Sequence, residues 1–122
     1  MEWEIEIHQD SKFIEFVTKG IADNDGSLQM AFVIAETMKH NRITKVLIDH
    51  RNIKSVSGGP AEVYNRPKIL RLAGVILGIR IAEVINPDHL GHFKFLETMC
   101  NNFGYKFSVF YDRESALKRL LS

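Results

Sequence analysis

Strand-like and helix-like segments alternate along the second half of the chain, and this alternation limits the fold more than any other feature. Short runs of β-branched and aromatic residues at 45–49, 79–85 and 106–110 are separated by segments of helix length with helical apolar spacing. Consecutive parallel strands need a crossover connection, and a helix is the usual one. The pattern therefore predicts an α/β fold with a mainly parallel sheet and right-handed crossovers.

The first part of the chain predicts a β-hairpin followed by a helix. Residues 2–8 alternate apolar and polar side chains, and a short turn leads to a second apolar run at residues 12–18. Helical spacing of apolar residues follows over residues 28–40. The element order is then ββαβαβαβα, a five-stranded sheet with an antiparallel N-terminal edge strand. We expect the strand at 45–49 to end in a polar loop, residues 51–59.

The remaining helices have clear start and stop signals. Pro60 and Pro87 suit the first helical positions of the second and third helices, Gly104 suits the C-cap of the third, and Asp112 suits the N-cap of the last. Pro67 lies inside the second helix and is expected to kink or split it, because proline removes a backbone donor. No repeat, low-complexity tract or linker interrupts the pattern, so we predict one domain over residues 1–122.

Charge and cysteine content exclude several classes of function. The 122 residues carry 16 basic and 15 acidic side chains, a net charge of +1, which gives no general attraction for nucleic acid. Cys100 is the only cysteine and excludes an internal disulfide. The N-terminus is acidic where a signal peptide is basic, and the longest apolar run, residues 72–79, is shorter than the roughly 20 residues of a membrane span. We expect a cytoplasmic protein.

The loop before the second helix is the first candidate site. Ser55, Ser57, Gly58 and Gly59 lead into the helix start at Pro60. Backbone amides at a helix N-terminus hold anions, and a phosphoserine there is stabilised by the helix dipole. The alternative is that these residues only turn and cap the chain. We select Ser55, Ser57, Gly58 and Gly59 as a regulatory or partner-binding loop.

Histidines and carboxylates form the second candidate. His50, next to Asp49, and His89 and His92, next to Asp88, fall near one end of the predicted sheet. Imidazole and carboxylate groups bind transition metals. We favour the alternative that these histidines are solvated or cap a helix. Cys100 has the helical spacing of a buried core residue. We therefore predict no metal, no cofactor and no catalytic residues, and a protein that is not an enzyme.

Two properties of the second helix allow different readings. Arg66, Lys68 and Arg71 are basic, and a solvated helix face is the expected explanation. Residues 69–77 are more apolar than a surface helix requires, so this segment packs on the sheet, meets a partner or lines an apolar pocket. Tyr64 contributes a hydroxyl to such a pocket, or only packs its ring.

The order of elements and several local strings resemble the SpoIIAA-like branch of the STAS superfamily, the fold of anti-sigma-factor antagonists. The resemblance extends over nearly the whole chain and includes residues 46–51, Tyr64 and residues 80–82. Its most specific part is a helix–strand–helix pattern in the C-terminal part of the chain, formed by Phe95, Leu96, Glu97, Thr98, Asn102, Phe103, Gly104, Val109, Phe110, Asp112, Ala116 and Leu117.

This resemblance implies a non-enzymatic module whose second helix begins at a regulatory surface. In the sporulation regulators of the family, an Asp-Ser-Ser-Gly motif lies there, and its serine is phosphorylated by a partner kinase that is also an anti-sigma factor. Here residues 55–60 read Ser-Val-Ser-Gly-Gly-Pro, so Ser57 falls near the aspartate and the glycines fall near the serines of that motif. The group is also similar in topology to CRAL-TRIO lipid-binding domains.

Two hypotheses result. The first is a STAS-like regulatory or interaction module with a protein partner, with homodimerisation through the edge strand or the second helix as a related expectation. The second is a carrier of a small apolar or anionic ligand, held in a pocket of roughly a few hundred Å³ between the second and third helices. Asp49, Tyr64 and Asp88 are the candidate pocket residues.

Overall fold

The structure is a computed structural model that describes residues 1–122. Strands and helices follow the predicted order, with a 3-10 turn before the third helix. The elements are β1 (Glu2–His8), β2 (Phe13–Ala22), α1 (Asn24–Asn41), β3 (Lys45–Val56), α2 (Pro60–Leu72), β4 (Arg80–Val84), the 3-10 helix Pro87–His89, α3 (Leu90–Phe103), β5 (Lys106–Phe110) and α4 (Arg113–Leu120).

The five strands form one sheet in sequence order. β1 pairs with β2 in antiparallel register, and β2, β3, β4 and β5 are mutually parallel neighbours. Because each parallel step requires a crossover, α1, α2 and α3 connect neighbouring strands of the sheet. The predicted α/β class and the antiparallel N-terminal edge strand are both confirmed.

Helices cover the two faces of the sheet unequally. The larger core joins side chains of α1, α2 and α3, such as Ile34, Val63 and Phe93, to sheet residues such as Ile48. A smaller core on the opposite face packs α4 against the sheet, and its members are Phe13, Leu47, Ala82, Val84, Ala116 and Leu120. Alternate residues of β3 therefore serve different cores, as strand geometry requires.

The third strand is longer than the sequence predicted. β3 continues to Val56, and Ser55 and Val56 pair with Ile21 and Ala22 of β2. β4 pairs with β3 only as far as Asp49. The expected loop at residues 51–59 is therefore wrong over most of its length: a two-stranded β2–β3 ribbon projects beyond the sheet, and only residues 57–59 form the loop. This part of the strand could not be predicted because most of its side chains are polar and exposed.

Asp112 and Gly104 cap α4 and α3 as predicted, and Asp23 caps α1 in addition. The Gly26 amide donates to the Asp23 carboxylate at 2.7 Å at the start of α1, and the Ser115 amide donates to Asp112 at 2.8 Å at the start of α4. Gly104 ends α3 with a φ of +112°, a conformation that favours glycine. α2 runs unbroken through Pro67, whose side chain is buried, so the predicted split does not occur.

No helix combines the length and the apolarity needed to cross a membrane.

Candidate functional site

The loop expected from the sequence lies at the tip of the projecting ribbon. We define the β3–α2 surface as Ser55, Ser57, Gly58 and Gly59, all of which are exposed. The Ser57 amide donates to the Ala22 carbonyl at 2.8 Å, which fixes the loop to β2. The four residues are thus brought together on one exposed surface, at the carboxyl end of a parallel strand, where α/β folds usually place their binding sites.

The start of α2 already has a carboxylate beside it. Gly59 is the N-cap and provides no side-chain hydrogen bond, whereas Glu62 in the first turn folds back over Gly58. A Cβ atom at Gly58, where φ is +101°, would collide with the Glu62 carboxylate. The positive end of the helix dipole is therefore neutralised by the chain itself, which disfavours a second anion at this position.

The three residues expected to line a pocket do not meet. Asp49 lies on the α4 face of the sheet, where Arg51 donates to it through its backbone amide, Nε and Nη2 at 3.1, 3.0 and 2.7 Å. Burial alone raises the pKa of Asp49, but the hydrogen bonds from Arg51 outweigh it and hold the pKa below its ordinary value. Tyr64 is 61% exposed on α2, and Asp88 is exposed in the 3-10 turn.

A buried polar cluster lies instead beneath the helices. The Thr18 hydroxyl is 2.7 Å from His50 Nδ1 and 3.2 Å from the Asp49 carbonyl oxygen. His50 Nε2 is 3.5 Å from a carboxylate oxygen of Glu83, and the imidazole stacks on Phe93. His50 and Glu83 are both buried in the larger core. The expectation of a solvated or capping histidine at position 50 is therefore wrong, because β3 turns this side chain inward.

Arg66 is the least expected member of this cluster. It is only 8% exposed, its guanidinium makes no hydrogen bond, and its Nε is completely buried. Burial lowers the pKa of Arg66, and the negative charge of Glu83 partly offsets that effect. The other Glu83 oxygen also has no hydrogen-bond partner. The predicted solvated basic face is thus wrong for Arg66, although Lys68 and Arg71 are exposed.

A small cavity of about 40 Å³ separates these groups. His50, Arg66, Glu83 and His92 line it, together with Ser27 and a mainly apolar surround. Burial lowers the pKa of His92, as does the nearby charge of Arg66. A cavity of this size holds roughly one to three water molecules. It is far smaller than the pocket that the carrier hypothesis requires, and that hypothesis gains no support.

The sequence did contain signals for the missed residues. Glu83 interrupts an apolar strand that is covered on both faces, so its carboxylate has to lie in one of the two cores. Arg66 follows Val63 by three positions and precedes Leu70 by four, which places it on the buried side of a helix. Its spacing therefore predicts burial, whereas its residue type predicts exposure.

The α4 face carries a second polar group, formed by Glu6, His8, Glu15 and Arg113. Ligand atoms of the first three lie within 4.8 Å of one another. Arg113 donates to both oxygens of Glu15, through Nε and Nη2, at 2.8 Å each, and His8 Nε2 lies 2.9 Å from the same carboxylate. These contacts form an ion-pair network in which Arg113 supplies the positive charge that a metal ion would otherwise supply.

Solved structures similar to this chain share one fold. An uncharacterized protein of the DUF3478 family from Shewanella loihica PV-4, described as having a SpoIIAA-like fold, is 21% identical over 98% of this chain and 92% of its own, with a TM-score of 0.62. The anti-sigma factor antagonist SpoIIAA in its unphosphorylated form is 16% identical over 97% and 96%, with a TM-score of 0.55.

The phosphorylated form of SpoIIAA, described as a Bacillus cell fate determinant, is 15% identical over 97% of this chain and 98% of its own, with a TM-score of 0.51. No protein-family model and no functionally curated protein matches the chain. The chain therefore has the SpoIIAA-like, STAS-type fold that its sequence pattern resembled.

Proposed function

We propose that the protein is a regulatory or protein-interaction module of the STAS type, which binds a protein partner through the β3–α2 surface and performs no catalysis. The observation that carries this proposal is the exposed loop at the tip of the projecting β2–β3 ribbon, held to β2 by the Ser57 amide. A loop that is tied to a paired strand in this way presents a defined shape to a partner with little loss of entropy on binding.

Two further observations support binding over catalysis. The one hydroxyl–imidazole pair in the core, Thr18 and His50, is buried and therefore inaccessible to a substrate. The α2 N-terminus is neutralised by Glu62, so the surface favours a protein partner over a free anion. SpoIIAA, which shares the fold, is described as an anti-sigma factor antagonist.

The proposal does not depend on phosphorylation of Ser55 or Ser57. The Glu62 carboxylate lies beside Gly58, the residue after Ser57, so a phosphate on Ser57 would be near a like charge, which repels it. We place the protein in the cytoplasm, and homodimerisation stays a prediction.

Site-specific photo-crosslinking in the native host tests the proposal. Benzoylphenylalanine at position 57 is expected to trap one predominant protein, because this side chain is exposed at the centre of the β3–α2 surface. The same probe at Thr44, exposed just before β3 and at the opposite end of the sheet, is the matched control. Equal patterns of cross-linked proteins at the two positions would contradict binding through this surface.

A further inference from the structure

The two edges of the sheet are protected very differently. On the outer side of β5, the Phe107 amide donates to Asn101 Oδ1 at 2.8 Å, and the Asn101 amide group donates to the Phe107 carbonyl at 2.9 Å. The Val109 amide donates to a Glu97 carboxylate oxygen at 2.8 Å. Side chains of α3 thus occupy the positions that another strand would need, and this edge is closed to strand addition.

The opposite edge, β1, has no such protection. All seven residues of β1 pair with β2, and no side chain of the protein bonds to the backbone of β1. Every second residue of a strand points its N–H and C=O groups away from a given neighbour. The outer side of β1 therefore presents a row of free donors and acceptors, which is the template that an added strand requires.

The side chains of β1 give this open edge a definite chemistry. Glu2, Glu4 and Glu6 are exposed on one face of the sheet. On the other face, Ile5 is 41% exposed and Ile7 is 40% exposed. Glu2 pairs with Lys19 of β2 at 3.4 Å, so Glu4 and Glu6 are the acidic groups that flank the free backbone on one side, and apolar surface flanks it on the other.

The two ends of helix α1 lie near the two ends of β1. Met1 lies beside Gly26 at the start of α1, and the Gln9 side chain donates to Asn41 at the end of α1 at 3.3 Å. An added strand would remove part of the exposed apolar surface of Ile5 and Ile7 from water, which favours its binding.

We propose that β1 accepts an extended segment of a partner protein in which lysine or arginine alternates with apolar residues. The basic side chains would lie beside Glu4 and Glu6, and the apolar ones would lie beside Ile5 and Ile7. A second copy of this chain fits less well, because antiparallel pairing of β1 with itself sets glutamates opposite glutamates, and like charges directly across a ladder destabilise it. This site is separate from the β3–α2 surface and does not rest on the proposed function.

A synthetic peptide tests the proposal without knowledge of the natural partner. The probe is a fluorescein-labelled heptapeptide of alternating lysine and valine, and binding is followed by fluorescence anisotropy. We expect saturable binding that weakens as salt is raised, with new amide-exchange protection confined to residues 2–8. The alternating glutamate–valine peptide is expected to bind at least tenfold more weakly. Equal binding of the two peptides would overturn the proposal.

Backbone pairing and simple charge attraction are separated by two controls. A lysine–valine peptide with N-methylated amides along one edge keeps its charge but loses its donors, and it is expected to bind at least tenfold more weakly. Glu4→Lys with Glu6→Lys is expected to reduce binding of the original peptide about tenfold or more, whereas the charge-matched pair Asp88→Lys with Glu114→Lys, on elements that do not contact β1, leaves it unchanged. Binding that survives N-methylation, or equal losses in the two double variants, would overturn the proposal. So would amide-exchange protection of residues 2–8 that increases with protein concentration in the absence of peptide, because it would show that the protein dimerises through β1.

Discussion

Glu83→Leu is expected to lower the free energy of unfolding by about 3 kcal/mol, the size typical of removing one member of a buried charged group. Glu83 is 4% exposed and supplies the only carboxylate facing His50 and Arg66 across the small cavity. Leucine fills a similar volume but removes the carboxylate that contributes most to compensating the buried Arg66 charge. Urea denaturation at pH 7 measures the change, with Glu114→Leu on the exposed face of α4 as the control that changes stability little.

Arg66→Met in the same background is expected to restore that loss. The arginine makes no hydrogen bond, so methionine keeps the apolar stem and removes only the buried charge. The double variant is therefore expected to be at least as stable as the wild type, with a coupling energy of about 2–3 kcal/mol between the two positions. Simple additivity of the two substitutions would show that Arg66 and Glu83 do not act as one buried group.

Arg113→Met is expected to lower the free energy of unfolding by about 2 kcal/mol at pH 7. Glu15 is buried and receives two hydrogen bonds from Arg113 on the α4 face. Loss of both leaves a buried carboxylate with only His8 as partner. The expected change is below the 3–5 kcal/mol found for deeply buried pairs, because the Arg113 side chain is 41% exposed and solvent screens its charge.

The ion pair between Glu15 and Arg113 also predicts how the free energy of unfolding changes at low pH. The hydrogen bond from Arg113 lowers the pKa of Glu15, against the opposing effect of burial, below its ordinary value of 4.5. A depressed folded-state pKa gives stability that is present above pH 4.5 and is lost as the pH falls through the folded-state pKa. Unfolding curves of wild type and Arg113→Met are therefore expected to converge toward low pH, and a constant difference between pH 7 and pH 3 would contradict this account.

Most of the fold could be predicted from hydrophobic periodicity and from the residues that begin and end helices. The alternation in β1, the β-branched runs of β4 and β5, the Asp112 cap and the Gly104 C-cap are local signals, and each acts in the structure as predicted. The second half of β3 could not be predicted from such local signals. Its residues are mostly polar because one face of the ribbon is exposed, whereas Ile53 on the other face is buried in the larger core. Its pairing with β2 depends on contacts between residues more than 30 positions apart.

The polar groups of the core were harder to predict because their position depends on packing. Arg66 and His50 are residues that surfaces usually carry, and only the burial of neighbours such as Val63 and Ile48 brings them inside. The three residues expected to line a pocket lie apart because Asp49 points to the α4 face of the sheet, whereas Tyr64 and Asp88 are exposed on α2 and in the 3-10 turn. Adjacent residues of a strand point to opposite faces, so Asp49 cannot lie on the same face as His50.

Partner binding through the β3–α2 surface is tested most directly by an affinity measurement with the protein that is cross-linked at position 57. Ser57→Arg enlarges an exposed side chain at the centre of that surface and leaves the Ser57 amide free to bond Ala22. We expect Ser57→Arg to weaken binding of the purified partner at least tenfold, while Thr44→Arg binds as the wild type does. Equal affinities of all three proteins for this partner would contradict the proposed function.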